Sequence, residues 1–97
     1  MAPRLTEAEI HDALAGLDGW SLADDGLHIV RRFELVDFDA AMRLILAVAD
    51  VARALDHHPD LYNVYNRVEL RLTTHDSGGV TERDISFARR ANAVTGS

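Results

Sequence analysis

Three imidazoles are the side chains of this sequence best suited to chemistry. Of its five histidines, His57 and His58 stand directly before Pro59, and His75 stands shortly before the pair Gly78-Gly79. All three fall at the edges of regular patterns rather than within their apolar faces. An unperturbed imidazole titrates near pH 6.5, so it can give or accept a proton at neutral pH. Two adjacent histidines plus a third from another element suit a reaction that needs an acid and a base together. That requires the chain after His58 to fold back, so that the strand ending at His75 returns beside the pair. Asp56 and Asp76 each neighbour a histidine and can orient an imidazole or accept hydrogen bonds from a ligand's N–H groups. Asp60 and Asp84 read first as turn and helix caps. A plainer account also exists: histidines at a helix C-terminus are favoured there by the helix dipole, and a lone histidine at a strand end is commonly just a surface residue.

Rival chemistries fit less well. Three imidazoles can hold zinc with a site open for water, but adjacent positions on a helix point about 100° apart, unlike the usual helical metal pattern. We therefore expect neither metal nor cofactor. Ser77 lies near His75 but no G-x-S-x-G elbow surrounds it. Tyr62 and Tyr65 could stack on an aromatic ligand, although strand aromatics more often pack. His11 and His28 read as surface residues without partners. All ten cations are arginine, so lysine Schiff-base chemistry is excluded, and without cysteine there is no disulfide, thiolate or cysteine metal site. The net charge of −6 argues against nucleic acid or an anionic membrane as a partner. No stretch approaches the roughly 20 apolar residues of a membrane span, and the N-terminus lacks a signal-like run; the cytoplasm is the expected location.

The elements that must position the histidines follow from the patterning. At 97 residues the chain is expected to form one domain over 1–97, small enough to be marginal alone. Thr6 and Glu9 form a capping-box pattern, predicting a helix from Glu7 to near Leu17. Trp20 to Ala23, the turn Asp24-Asp25-Gly26, and Leu27 to Leu35 predict a hairpin whose alternation breaks at Val30 and Arg31. Asp37 is the expected N-cap of a helix from Phe38 to about Asp56, ended by Pro59. Its apolar arc is too broad for one partner, so one side should cover the sheet. The other, where the small residues Ala41, Ala49 and Ala52 permit close approach, should meet another subunit. Leu61 to Val64 and Arg67 to Thr74 predict a second hairpin about Tyr65-Asn66, with Asn66 tolerating positive φ. Thr81 and Asp84 bracket a last helix with Ile85, Ala88, Ala91 and Val94 on one face, and Thr95-Gly96-Ser97 as a fraying tail. The order α-β-β-α-β-β-α, with helices separated by hairpins, favours an α+β fold: a four-stranded antiparallel sheet with three helices on one face.

These segments resemble a known family. Asp56-His57-His58-Pro59, Tyr62 to Val68, Thr74-His75 and Gly79 to Ile85, with Gly19-Trp20 and Phe38 earlier, are similar to the pterin-4a-carbinolamine dehydratases, also known as dimerisation cofactors of a hepatocyte transcription factor. The likeness extends over nearly the whole chain; Leu61 departs from it, standing where the family commonly has tryptophan on the pocket wall. It implies the same antiparallel layer fold, assembled into homodimers or homotetramers through helix 38–56. It also implies dehydration of 4a-hydroxytetrahydropterin to quinonoid dihydropterin without metal. Substrate contacts would come from Asp56, His57 and His58 and from Thr73, Thr74, His75 and Asp76. On that basis His57 and His75 are expected to exchange the protons and His58 to hold the pterin, with Asp56 and Asp76 as supports. The resemblance also admits a dimerisation or coactivator module for a transcription factor, and a pterin-binding protein of molybdenum-cofactor metabolism.

Overall fold

The computed structural model describes residues 2–96. Its elements run α1 (Glu7–Leu14), β1 (Trp20–Leu22), β2 (Ile29–Glu34), α2 (Phe38–Leu55), β3 (Asp60–Val64), β4 (Arg67–Leu72), a single 3-10 turn (His75–Ser77) and α3 (Glu82–Thr95). This is the α-β-β-α-β-β-α order read from the sequence. The antiparallel sheet has the order β1-β2-β4-β3, so the two hairpins join where β2 pairs with β4.

The register sorts side chains between two faces, because residues directly opposite in antiparallel strands share one. Ile29↔Leu72, Arg31↔Leu70 and Phe33↔Val68 form the inner face, while Val30↔Arg71, Arg32↔Glu69 and Glu34↔Arg67 form the outer one. The inner face meets Ile10 of α1, Leu44, Val48 and Val51 of α2, and Ile85, Phe87 and Ala88 of α3 in one core. The outer face is crossed by ion pairs such as Arg32 Nε to Glu69 Oε1 at 2.7 Å.

The break in alternation at Arg31 has a physical reason. Its guanidinium lies 4.1 Å from the Phe33 ring centroid and donates to Asn92 Oδ1, which also accepts the Trp20 indole N–H at 2.8 Å. Partial burial lowers the Arg31 pKa from its ordinary value, opposed by the charge of Asp18. A Cβ on Gly19, whose φ is +85°, would stand 2.6 Å from Arg31 Nε, so the glycine serves both the turn and the close approach.

Element ends differ from expectation in three places. The first helix stops at Leu14, three residues before the expected Leu17; the Leu17 N–H bonds to the Leu14 carbonyl at 3.0 Å, and this tight turn buries the Leu17 side chain. Helix α2 ends at Leu55, beside the expected Asp56, but what stops it is the left-handed cap at Asp56 (φ 48°, ψ 47°) and not Pro59. The Asp56 N–H reaches the Arg53 carbonyl at 3.3 Å and the His57 N–H reaches the Ala52 carbonyl at 3.1 Å, a Schellman closure. The chain has thus already reversed when it reaches the histidines. In the β3–β4 turn the positive φ falls on Tyr65 (50°) rather than Asn66. Asn66 is committed elsewhere: its amide nitrogen donates to the Leu35 carbonyl at 2.8 Å and its own carbonyl accepts the Leu35 N–H at 2.8 Å.

Helix α3 begins with the expected capping box, and Ile85, Ala88 and Ala91 are buried. Val94, expected on the same face, is 49 % exposed beyond the edge of the core. The helix holds through Thr95, with Gly96 as its left-handed cap, rather than fraying there; Ser97 lies outside the described residues.

Candidate active site

The reversal at Asp56 sends the next side chain inward. His57 is 7 % exposed, its Nε2 lies 2.6 Å from Asp84 Oδ1, and its ring meets Phe87 edge-on. Asp84 is fully buried, and it has two duties. As the third residue of α3 its Oδ2 accepts the Thr81 N–H at 2.8 Å, closing the capping box, and the same oxygen accepts the Thr74 hydroxyl at 2.9 Å. Thr74 has one hydroxyl proton and spends it on Asp84, so at their 2.7 Å contact Thr81 donates to Thr74. A carboxylate only accepts, and donors from Thr74 and Thr81 occupy one of its oxygens, so the ring nitrogen facing the other carries a proton. His57 thus donates to Asp84 through Nε2, leaving Nδ1 outside that hydrogen bond. Among the described residues no buried side-chain nitrogen or oxygen lacks a partner.

His75 arrives from the opposite direction. Strand β4 ends at Leu72, and Thr74 pairs with Gly79 in an isolated antiparallel bridge that closes a small loop. His75 and Asp76 occupy the tip of that loop, both exposed. The loop, the Asp56 reversal and the extended link through Pro59 enclose a cleft of about 500 Å³. His57, His58 and His75 all line it, together with Asp56, Thr74 and Asp76.

Thr73 alone of the expected contact residues does not. Continuing the alternation of β4, Leu72 and Thr74 are buried while Thr73 belongs to the outer face with Arg71. Leu61 is likewise absent from the lining, since it pairs with Leu70 in the inner-face register of edge strand β3. Tyr62 and Tyr65 are 57 % and 62 % exposed and do not reach the cleft. The Ser77 hydroxyl is engaged with the Ala2 carbonyl. His11 and His28 lie away from the cleft, but neither lacks a partner: His11 is 3.6 Å from Glu7, and His28 bonds Asp25 at 2.8 Å.

Three site residues were not singled out as such by the sequence. Asp60 lines the cleft and adds a third carboxylate to Asp56 and Asp76. Arg83 also lines it, and its Nη2 donates to the Asp56 carbonyl at 2.8 Å, tying the start of α3 to the end of α2. Asp84 was read first as a cap. The clue for both α3 residues was their place in a capping box: the first turn of a helix aims side chains at whatever lies before it.

Among the described residues no three His, Asp or Glu side chains come together as a metal cage. A second recess of about 500 Å³ on the outer sheet face, with Arg32, Tyr62, Val64 and Arg67 in its wall, contains no histidine. Among the described residues the histidine cleft is the recess that brings more than one imidazole to a common space, and its volume admits a bicyclic ring.

Known proteins share this sequence pattern and fold. Residues 3–94 match the model of the family described as pterin 4 alpha carbinolamine dehydratase. A relative from Koribacter versatilis, provisionally named a pterin-4-alpha-carbinolamine dehydratase, is 50 % identical over 97 % of this chain and 98 % of its own. A crystal structure from Brucella melitensis, described as a transcriptional coactivator/pterin dehydratase, is 47 % identical and superposes with a TM-score of 0.90 over 95 % of this chain and 98 % of that one. A pterin dehydratase-like protein described as a RuBisCO assembly factor of the alpha-carboxysome is 21 % identical, covers 81 % of this chain and 92 % of its own, and shares the fold with a TM-score of 0.69. With its full-length match and the shared fold, this chain belongs to the pterin 4 alpha carbinolamine dehydratase family.

Proposed function

We propose that the protein is a hydro-lyase that dehydrates 4a-hydroxytetrahydropterin to quinonoid dihydropterin, in the recycling of the pterin cofactor of aromatic amino acid hydroxylases. The observation that carries this reading is the convergence of three imidazoles from two distant loops on one cleft. The reaction breaks the C4a–O bond and forms C4a=N5. One proton goes to the departing hydroxyl, which leaves as water, and one comes off N5. Two titratable groups beside neighbouring ring atoms satisfy that balance without a redox partner or cofactor.

In this reading His57 and His75 exchange the two protons and His58 holds the ring. The hold of Asp84 on Nε2 supports assigning the exchange at His57 to Nδ1. Asp56 and Asp76 accept hydrogen bonds from pterin N–H groups, with Thr74 and Asp84 acting from behind. Turnover and KM of His57→Ala, His58→Ala and His75→Ala test the roles. Loss of kcat in the first and third and a raised KM in the second are expected, whereas a full rate with His75→Ala would remove it from the mechanism. A chelator is expected to leave the rate unchanged.

The same reading includes a homo-oligomer through α2, on whose outward side Leu46 is 65 % exposed. That feature, with the coactivator description of the Brucella relative, also favours a second reading as a docking module for a transcription factor. Retention of a stable complex with such a partner by a histidine-less variant would support it.

A further inference from the structure

The imidazoles that the two loops bring to the cleft are held in very different ways. His57 is buried and hydrogen-bonded to Asp84. His75 is exposed at a loop tip, and no side-chain hydrogen bond restrains it among the described residues. Its position is therefore set by the backbone of residues 74–79. Inside the loop the Thr74 N–H bonds to the Gly79 carbonyl at 2.9 Å, and the Ser77 and Gly78 N–H groups both reach the Thr74 carbonyl at 3.0 Å.

The outside of the loop is held by a segment far away in sequence. Residues 2–5 run along it: the Leu5 N–H donates to the Val80 carbonyl at 2.9 Å, and the Ser77 hydroxyl donates to the Ala2 carbonyl. Between these two contacts the Arg4 side chain comes close to Gly79, where an added Cβ would stand 2.7 Å from Nε and 3.1 Å from Cζ. A side chain at Gly79 would push the exposed end of Arg4 aside, so the glycine lets the arginine settle against the loop. Leu5 anchors the strap by packing against the core.

Resting on the dehydratase reading above, we propose that the segment Ala2–Leu5 is a strap that positions His75, with Arg4 and Ser77 as positioning residues that act through the loop and never touch substrate. Misplacing a reacting group by about 1 Å can cost on the order of 100-fold in rate. Freeing the loop should therefore lower turnover while the core stays folded.

The test uses two perturbations of different severity, deletion of residues 2–4 and the single change Ser77→Ala. Each is made in the natural chain and again in a His75→Ala background. Hydrogen exchange at the amides of Ser77 and Gly78 is expected to quicken in both variants, while exchange in α2 and β4 is unchanged. Dehydration kcat should fall about 10- to 100-fold on deletion. Ser77→Ala should lower it less and leave KM within about two-fold, because His58, Asp56 and Asp60 stand outside the loop and only Asp76 among the binding groups moves with it. In the His75→Ala background neither perturbation should lower the rate further, since groups that act as one unit are not additive. Additive losses, or a full rate with exchange unchanged at the loop, would overturn the proposal. Should the deletion unfold the chain, Ser77→Ala decides alone by the same criteria. A natural chain that dehydrates no pterin carbinolamine overturns the dehydratase reading instead, and the exchange measurement still reports on the strap.

Discussion

Asp84 shows how one buried carboxylate can serve a helix and a histidine together. Three donors converge on it: the Thr81 N–H, the Thr74 hydroxyl and His57 Nε2. Asp84→Ala would leave all three unpaired in the interior, where each lost partner costs about 1–3 kcal/mol. A total loss of about 3 kcal/mol is expected, and at about 4–8 °C per kcal/mol for a domain of this size the melting midpoint should fall by more than 10 °C. Asp84→Asn separates stability from chemistry. Two donors meet Oδ2 and one meets Oδ1, so the new amide should turn its oxygen to the threonines and its NH2 to the imidazole. That moves the His57 proton from Nε2 to Nδ1. Turnover should then fall by more than 100-fold, in line with the cost of a wrong tautomer in other histidine enzymes, while the melting midpoint moves far less. The three histidines were legible in the sequence because imidazoles at element edges serve no packing pattern. Asp84 looked like a mere cap because its second role depends on a contact 27 positions away.

At the level of elements, turns carry most of the difference between expectation and structure. The two hairpins and the helix order were legible, since alternation and capping boxes are local signals, whereas the β2–β4 pairing that joins the hairpins has no local signal. Which turn residue takes the left-handed conformation was not, because tethers from elsewhere decide it, as Leu35 does for Asn66. Tyr65 consequently carries a φ of 50° that a bulky side chain adopts at a cost. Tyr65→Gly relieves that cost but widens the unfolded ensemble, so a net gain of about 0.5 kcal/mol is expected by urea unfolding, with turnover unchanged. The β1–β2 turn makes a pH-dependent contribution. Asp25 accepts the Leu27 N–H at 2.7 Å, and this bond, the largest influence, holds its carboxyl below the ordinary value against the opposing effect of desolvation, with lesser help from the hydrogen bond and charge of His28 and the charge of Arg71. A carboxyl whose folded pKa is depressed stabilises the fold above its unfolded value, near 3.9, and loses that contribution as pH falls through the folded value. The stability gap between the natural chain and Asp25→Asn should thus be open at pH 7 and at pH 5. It should narrow as pH falls below about 4, and a gap independent of pH would assign the turn's stability to shape alone.

For the whole molecule, the open question is what covers the outer side of α2. The sequence reading assigned Ala41, Ala49 and Ala52 to a subunit contact, but Ala41 and Ala52 are buried within the protomer at 0 % and 6 % exposure. A broad apolar arc cannot say which of its edges is internal; only the sheet and α3 settle that. What remains outward is Phe38, Met42, Ile45, Leu46 and Ala49, at spacings of 4, 3, 1 and 3 residues, all exposed or half-buried. At about 100° per residue these five fall within about 100° of one another, the seam by which one helix packs on another. Phe38 is 45 % and Leu46 65 % exposed, whereas Asp39, Arg43 and Asp50 lie to one side as a polar rim. A chain of 97 residues gains much by covering such a stripe, because alone it hides only about two-thirds of the surface its unfolded form exposes. The natural protein should sediment as a dimer or tetramer, with a melting midpoint that rises with concentration. Leu46→Arg places a charge in the middle of the seam while leaving the cleft untouched, so it should sediment as a monomer and lose the concentration dependence. Turnover per chain should survive at low temperature, since His57, His58 and His75 reach the cleft from one and the same chain. If Leu46→Arg sediments like the natural chain, the contact lies on another surface, and the stripe is only the exposed flank of a central helix.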